Sequence, residues 1–96
     1  MAAEREIEKY LYDQCKKRGW LCEKFTSPNR RSVPDRIITA HGNIIYFVEC
    51  KAPGKLPTKL QSRDHEIRIA FGCNVRVADS KPVVDAIIKQ IEGEKK

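Results

Sequence analysis

The sequence predicts an α/β fold with a mixed β-sheet flanked by helices, in the element order α-β-β-β-α-β-α. Apolar residues recur at helical spacing near both ends of the chain, after Glu4 and after Ser80. Two runs rich in Ile, Val, Tyr and Phe flank His41-Gly42-Asn43, which is a hairpin signal. A further helical segment separates the second of these runs from another strand-like run, as in a crossover between parallel strands.

The first half of the chain is predicted to form a helix and three strands. The helix spans Glu4 to Arg18, and Gly19 ends it as a residue that tolerates positive φ. A polar, basic loop occupies residues 26–32. The predicted strands are rich in β-branched and aromatic residues and occupy 20–25, 35–40 and 43–50.

The second half begins with a Pro- and Gly-rich break at residues 52–57. Thr58 is suited to cap a second helix that runs to about Phe71 and ends at Gly72. A strand is predicted at 74–78. The helix between this strand and the one before it makes a parallel pairing of the two strands the expected arrangement.

Ser80 is predicted to cap a last helix, with Pro82 in its first turn. The charged tail from Glu92 to Lys96 is expected to fray. We expect residues 1–96 to form a single domain, because the chain length suits one modest core and no linker interrupts it.

The composition indicates a soluble protein with a polyanionic partner. The chain is 41% hydrophobic and 33% charged, and no apolar run is long enough to span a bilayer. The N-terminus lacks the apolar stretch of a signal peptide, so a cytoplasmic location is expected. The net charge of +6 favours nucleic acid as the partner, although the same charge could serve solubility alone.

The strand that ends at Cys50 carries the candidate chemistry. Glu49 and Lys51 point to the same face, because side chains alternate along a strand. The hairpin brings Asp35 to the same end of the sheet. Two close carboxylates can share a divalent cation such as Mg²⁺. From spacing alone, a Glu49–Lys51 salt bridge is an equally good interpretation.

In this order, Val33-Pro34-Asp35 and then Val48-Glu49-Cys50-Lys51 resemble the PD-(D/E)XK nuclease motif. The form is similar to the VRR-NUC branch of that superfamily, including its small stand-alone phage members. The resemblance covers nearly the whole chain and implies a restriction-endonuclease-like fold. One departure is Ser32, where the family often has Gly before Val-Pro-Asp.

The resemblance implies a role for each motif residue. Asp35 and Glu49 would bind Mg²⁺ or Mn²⁺, together with the backbone carbonyl of Cys50, and Lys51 would be the catalytic lysine. Gln61 would be the motif glutamine near the site.

The resemblance also implies a glutamate on the first helix that reaches the metal through water. Glu4 fits this position best because Glu4-Arg5-Glu6-Ile7 resembles the start of that helix in related archaeal junction resolvases. Glu8, one turn later on the same helix face, is the competitor. An ordinary solvent-exposed helix charge is the alternative for both residues.

The expected activity is metal-dependent, structure-selective cleavage of DNA by a homodimer, with the four-way Holliday junction as the favoured substrate. The alternatives are a nickase or flap nuclease without junction preference, and a non-catalytic DNA-binding module. We expect no membrane partner and no small-molecule cofactor. Basic residues around the motif are the expected DNA contacts, namely Arg30, Arg31, Arg36, Lys55 and Lys59.

Overall fold

The computed structural model describes residues 3–94 as a four-stranded sheet with helices on both faces. The helices are α1 (Glu4–Lys17), α2 (Lys59–Ala70) and α3 (Lys81–Gly93). The strands are β1 (Leu21–Lys24), β2 (Arg36–Ala40), β3 (Ile44–Cys50) and β4 (Asn74–Ala78). The predicted α/β class and element order are therefore confirmed.

The strands lie in the sheet in the order in which they occur along the chain. β1, β2 and β3 form an antiparallel meander, and β4 pairs with β3 in parallel after the α2 crossover, as predicted. The β2–β3 turn uses Gly42 and Asn43 at positive φ, 86° and 64°. This tight turn fixes the hairpin register, so it also fixes which residues face each other at the far end.

The predicted caps position the helices. Gly19 has a φ of 74°, and the Trp20 N–H donates to the carbonyl of Cys15 at 3.0 Å, which closes the C-terminal end of α1. Thr58 Oγ1 accepts from the Gln61 N–H at 3.2 Å at the start of α2. Ser80 caps α3 in the same way through the N–H of Val83.

The main core lies between the sheet and the pair α1 and α3. Alternate residues of β3 point into it, and Tyr46, Val48 and Cys50 are all buried. The opposite face of the sheet is covered only partly, by α2. Leu21 and Ile45 on this face keep 57% and 43% of their surface exposed.

The C-terminal segment is more ordered than predicted. Glu92 and Gly93, which were expected to fray, belong to α3. The guanidinium of Arg18 donates to Glu92 at 2.8 Å, and the hydroxyl of Tyr46 donates to Glu94. These contacts tie the end of α3 to α1 and the sheet, whereas Lys95 and Lys96 lie outside the described residues. Within residues 3–94, no helix combines the length and the apolar character needed to cross a membrane.

Candidate active site

Asp35 and Glu49 lie together at the open end of the β2–β3 hairpin. Arg36 is paired with Val48, so the register continued by one residue sets Asp35 opposite Glu49. The Cys50 N–H donates to Asp35 Oδ2 at 2.8 Å, which holds the aspartate against the end of β3. The alternation along both strands places the two carboxylates on the face covered by α2.

Glu49 is only 1% exposed, which is unusual for an acidic residue. Gln61 Nε2 donates to its Oε2 at 3.1 Å, whereas Oε1 has no hydrogen-bond partner among the described residues. Burial and the neighbouring negative charge of Asp35 raise the pKa of Glu49 to about 8, although Lys51 acts in the opposite direction. Without a cation, Glu49 therefore retains its proton at neutral pH.

Lys51 follows β3 directly. Its N–H donates to the carbonyl of Ala78 at 2.9 Å, which extends the pairing with β4 by one residue. Within residues 3–94 its ammonium forms no ion pair within 4.0 Å, so the Glu49–Lys51 salt bridge considered from the sequence is not formed. Its positive charge lowers the pKa of Glu49, against the stronger effects of burial and of Asp35.

Gln61 joins the start of α2 to this site. Its side-chain oxygen accepts from the Thr58 N–H at 2.9 Å, and its own N–H donates to Thr58 Oγ1, which makes a capping box. With the oxygen held by Thr58, the amide nitrogen points to Glu49. One side chain thus caps the start of α2 and orients the Glu49 carboxylate.

The structure places Glu4 and Glu8 in different surroundings. Glu8 Oε2 accepts from Arg36 Nε at 2.7 Å and lies 3.3 Å from Lys24 Nζ, so it is already paired. Glu4 is exposed at the first residue of α1, and its charge contributes to the raised pKa of Glu49. Of the two, only Glu4 is free of an ion pair within the described residues, and its assignment as the water-mediated metal contact stays a prediction.

The donor set fits a hard divalent cation. The unpartnered Glu49 Oε1 is a buried oxygen that needs a positively charged or hydrogen-bonding partner, and Asp35 adds a second carboxylate beside it. Among residues 3–94, no three His, Cys, Asp or Glu side chains converge on one point. Mg²⁺ and Mn²⁺ suit such a site, because they accept one or two carboxylates and complete their shell with main-chain carbonyls, water and phosphate oxygens.

The basic residues predicted to contact DNA are of two kinds. Arg36 is only 13% exposed; its guanidinium donates to Glu8 and to the carbonyl of Cys22 and lies over the Tyr12 ring. It packs between α1 and the sheet and is already paired, so the structure does not favour its predicted contact with DNA, which stays a prediction. The Arg30 guanidinium is half exposed and forms an ion pair with Asp64, with 2.7 Å between Nη2 and Oδ1.

Three of the predicted contacts keep the freedom that phosphate binding needs. They are exposed and form no ion pairs within the described part of the chain: Arg31, Lys55 and Lys59. Arg63, which we did not single out from the sequence, is also exposed and unpaired there. It lines a groove of about 310 Å³ with Arg31, between the loop and α2.

Two buried polar residues of α2 were also missed. Asp64 accepts from both Arg30 and Arg68; although burial acts in the opposite direction, these bonds hold its pKa below the ordinary value. His65 Nε2 lies 3.6 Å from Glu49 Oε1 and has no hydrogen-bond partner among the described residues. The available signal was spacing, since His65 follows Gln61 by one helical turn.

Comparison with known proteins links this geometry to nucleases. No family model matches the chain. The protein named "Putative nuclease p44" of Acyrthosiphon pisum secondary endosymbiont phage 1 is 47% identical over 78 residues, which cover 81% of this chain and 84% of that protein. A solved structure described as a VRR_NUC domain is 31% identical, with a TM-score of 0.84 over 90% of this chain and 94% of the other.

Proposed function

Because this chain belongs to the VRR-NUC family of nucleases, we propose that it is a Mg²⁺- or Mn²⁺-dependent endodeoxyribonuclease. The observation that carries the proposal is the buried Glu49 carboxylate beside Asp35, one of whose oxygens has no hydrogen-bond partner among the described residues. Lys51 directly follows β3, forms no ion pair in the described chain and supplies the cationic group at the same strand end.

In the proposed reaction, water attacks the phosphorus, the bond to the 3′ oxygen breaks, and that oxygen leaves with a proton. Asp35, Glu49 and the Cys50 carbonyl would hold the divalent cation, which would supply Lewis-acid stabilisation of the charge on the phosphate. Glu4 hydrogen-bonds a water on the solvent side of the site. Lys51 orients the attacking water and stabilises negative charge as it develops on the phosphate oxygens.

The DNA backbone is proposed to cross the exposed basic residues around the site. Lys55 and Lys59 lie between β3 and the first turn of α2, and Arg31 and Arg63 line the groove beside that helix. These residues contact phosphates and therefore position DNA without reading sequence. Arg30 adds part of its exposed surface, although Asp64 limits its freedom.

A four-way junction is the proposed preferred substrate, and a homodimer the proposed active form. Two sites related by a two-fold axis match the two-fold symmetry of a junction. Leu21 and Ile45 support self-association, because they leave apolar surface exposed on the same face of the sheet, across the strand that lies between them.

Cleavage of labelled DNA tests the proposed activity. Duplex, single-stranded, flap and four-way substrates are incubated with Mg²⁺ or Mn²⁺, and with EDTA as the blank. We expect cleavage with a metal only, fastest on the junction, and a loss of about 100-fold or more in Lys51→Ala. The control is Lys89→Ala, which removes an exposed lysine of α3 and should cleave normally.

Three results would contradict parts of this proposal. Binding without cleavage in either metal would identify a non-catalytic DNA-binding module. Equal cleavage of duplex, flap and junction DNA would remove the junction preference but keep the nuclease. Wild-type rates in Lys51→Ala would remove the assigned role of the lysine.

The oligomeric state is tested separately, by light scattering during size-exclusion chromatography at several protein concentrations. We expect a dimer mass for the wild type and a monomer mass for Ile45→Lys, which places a charge on the exposed apolar face. A wild-type protein that stays monomeric at every concentration would exclude the homodimer.

A further inference from the structure

Two buried atoms without hydrogen-bond partners among the described residues face each other, Glu49 Oε1 and His65 Nε2. They are 3.6 Å apart, just beyond hydrogen-bond distance, and their residues are 1% and 8% exposed. Unpaired polar atoms at such depth are costly and rare. Their mutual approach therefore requires a reason other than packing.

The reason lies in how α2 is placed over the end of β3. Gln61 and His65 are one helical turn apart and thus lie on the same face of the helix. Gln61 Nε2 already donates to Glu49 Oε2, so the two side chains approach the two oxygens of one carboxylate. Such a pair fixes both the position of the carboxylate and its rotation about the last side-chain bond.

Helix α2, which carries Gln61 and His65, is also held in place by contacts of Asp64 and Arg68. Asp64, the residue between them that points elsewhere, accepts from Arg30 at 2.7 Å and from Arg68 at 2.7 Å. Arg68 also lies over the rings of Phe25 and Phe47. The loop before Asp35 is thereby tied to α2, and His65 has little room to move away from Glu49.

We propose that His65 is a positioning residue for metal binding: its Nε2–H donates to Glu49 Oε1 and leaves the remaining lone pairs of the carboxylate aimed at the cation. This inference rests on the proposed function, since it assigns Glu49 to the metal. The 3.6 Å separation shortens when the site closes on its ligand, as hydrogen bonds in active sites commonly do. Partners of this kind orient metal ligands and raise metal affinity.

Mn²⁺ binding to the DNA-free protein is the test, measured as loss of the free Mn²⁺ signal in electron paramagnetic resonance. We expect His65→Leu, which keeps bulk but has no donor, to weaken binding about 10- to 100-fold. His65→Gln, which keeps an N–H donor, should recover most of the affinity. His41→Leu removes the other histidine of the chain, exposed in the β2–β3 turn, and should bind like the wild type.

Cleavage kinetics provide a readout that simple damage to the fold would not produce. In His65→Leu the Mn²⁺ concentration for half-maximal rate should rise by the same factor as the dissociation constant, and saturating Mn²⁺ should restore most of kcat. The KM for DNA should stay unchanged. If His65→Leu does not fold, His65→Asn, whose shorter side chain cannot reach Glu49, takes its place in each measurement.

Wild-type Mn²⁺ affinity in both His65→Leu and His65→Asn would overturn the inference and leave the nuclease intact. A ¹⁴N coupling from imidazole in the pulsed spectrum of bound Mn²⁺ would also overturn it, because His65 would then be a ligand. If the wild type neither binds Mn²⁺ nor cleaves DNA, the proposed function fails, and this inference fails with it.

Discussion

A carboxylate that is almost fully removed from water is expensive to ionise, and Glu49 has a second carboxylate beside it. The protein tolerates this because the proton stays on Glu49 until the pKa of about 8 is passed, or until a cation replaces it. The Glu49 carboxylate therefore binds a proton or a cation more favourably than an exposed glutamate does. The same preference makes Glu49 a liability for stability in the absence of metal.

The sign of the effect on stability follows from linkage. In the unfolded chain Glu49 releases its proton near pH 4.3, whereas in the folded protein it does so near pH 8. Between these values the folded state binds the extra proton, so stability falls as the pH rises, by at most about 1.4 kcal/mol per pH unit. The lowered pKa of His65, caused chiefly by burial, acts in the opposite direction, but only below its ordinary value of 6.5.

Urea denaturation in EDTA between pH 6.5 and 8 isolates the contribution of Glu49. We expect the free energy of unfolding of the wild type to fall across this range, and that of Glu49→Gln to stay nearly constant. Glu49→Gln should be the more stable protein at pH 8. Parallel profiles for the two proteins would show that Glu49 ionises normally.

At the scale of one element, α2 differs from α1 and α3 in what holds it. Its buried residues are Asp64 and His65, whereas those of α1 and α3 are apolar or Cys. The Arg30–Asp64 ion pair attaches α2 to the loop before Asp35, and the stacking of Arg68 on Phe47 and the Gln61–Glu49 bond attach it to β3. Polar anchors depend on geometry more than an apolar stripe does, which suits a helix that positions a site.

The two roles of Gln61 can be separated by mutation. Thr58→Ala removes only the hydroxyl of the capping box and should lower stability by about 1 kcal/mol with little change in Mn²⁺ affinity. Gln61→Ala removes the bond to Glu49 as well, and should lower both quantities. Thermal denaturation and Mn²⁺ titration measure them, and equal Mn²⁺ affinity in the two variants would show that Gln61 only caps the helix.

Features that depend on neighbouring residues could be predicted from the sequence, whereas features that depend on contacts between distant residues could not. Helix ends and the hairpin were readable because Gly19, Gly42, Thr58 and Ser80 act on their immediate neighbours. The ion pair of Arg36 could not be predicted in this way, because its partner Glu8 lies on α1, 28 residues earlier in the sequence. The approach of His65 to Glu49 likewise depends on how α2 docks, which its weakly patterned sequence does not encode locally.

At the scale of the whole molecule, the paired and unpaired arginines and lysines predict how DNA binding responds to salt. Each exposed cation that neutralises a phosphate releases counterions, and adds about 0.9 to the slope of log affinity against log salt for duplex DNA. Lys59→Ala should therefore reduce the slope by about that amount, measured by fluorescence anisotropy in EDTA. Unchanged slopes in Lys59→Ala and Arg63→Ala would remove these residues from the DNA contacts.

Arg36→Gln is the matched comparison, since it removes one positive charge from the interior. It should leave the slope unchanged and instead lower the free energy of unfolding by about 1–3 kcal/mol, because Glu8 loses its closest partner. A reduced slope with normal stability would return Arg36 to the DNA-binding surface.

The contacts of the β2–β3–α2 region join residues that are closer in sequence than those joined by the contacts between α1 and α3. Asp35, Glu49, Gln61 and His65 are joined by contacts that span 12 to 16 residues: Gln61 to Glu49, Cys50 to Asp35, and His65 to Glu49. Contacts between α1 and α3 span 74 and 75 residues, as in Arg18–Glu92 and Tyr10–Asp85. The longest of these loop closures, which carry the largest entropic cost, therefore belong to the face opposite the chemistry. Sequence changes within the site can thus alter catalysis while the longest loop closures of folding stay the same.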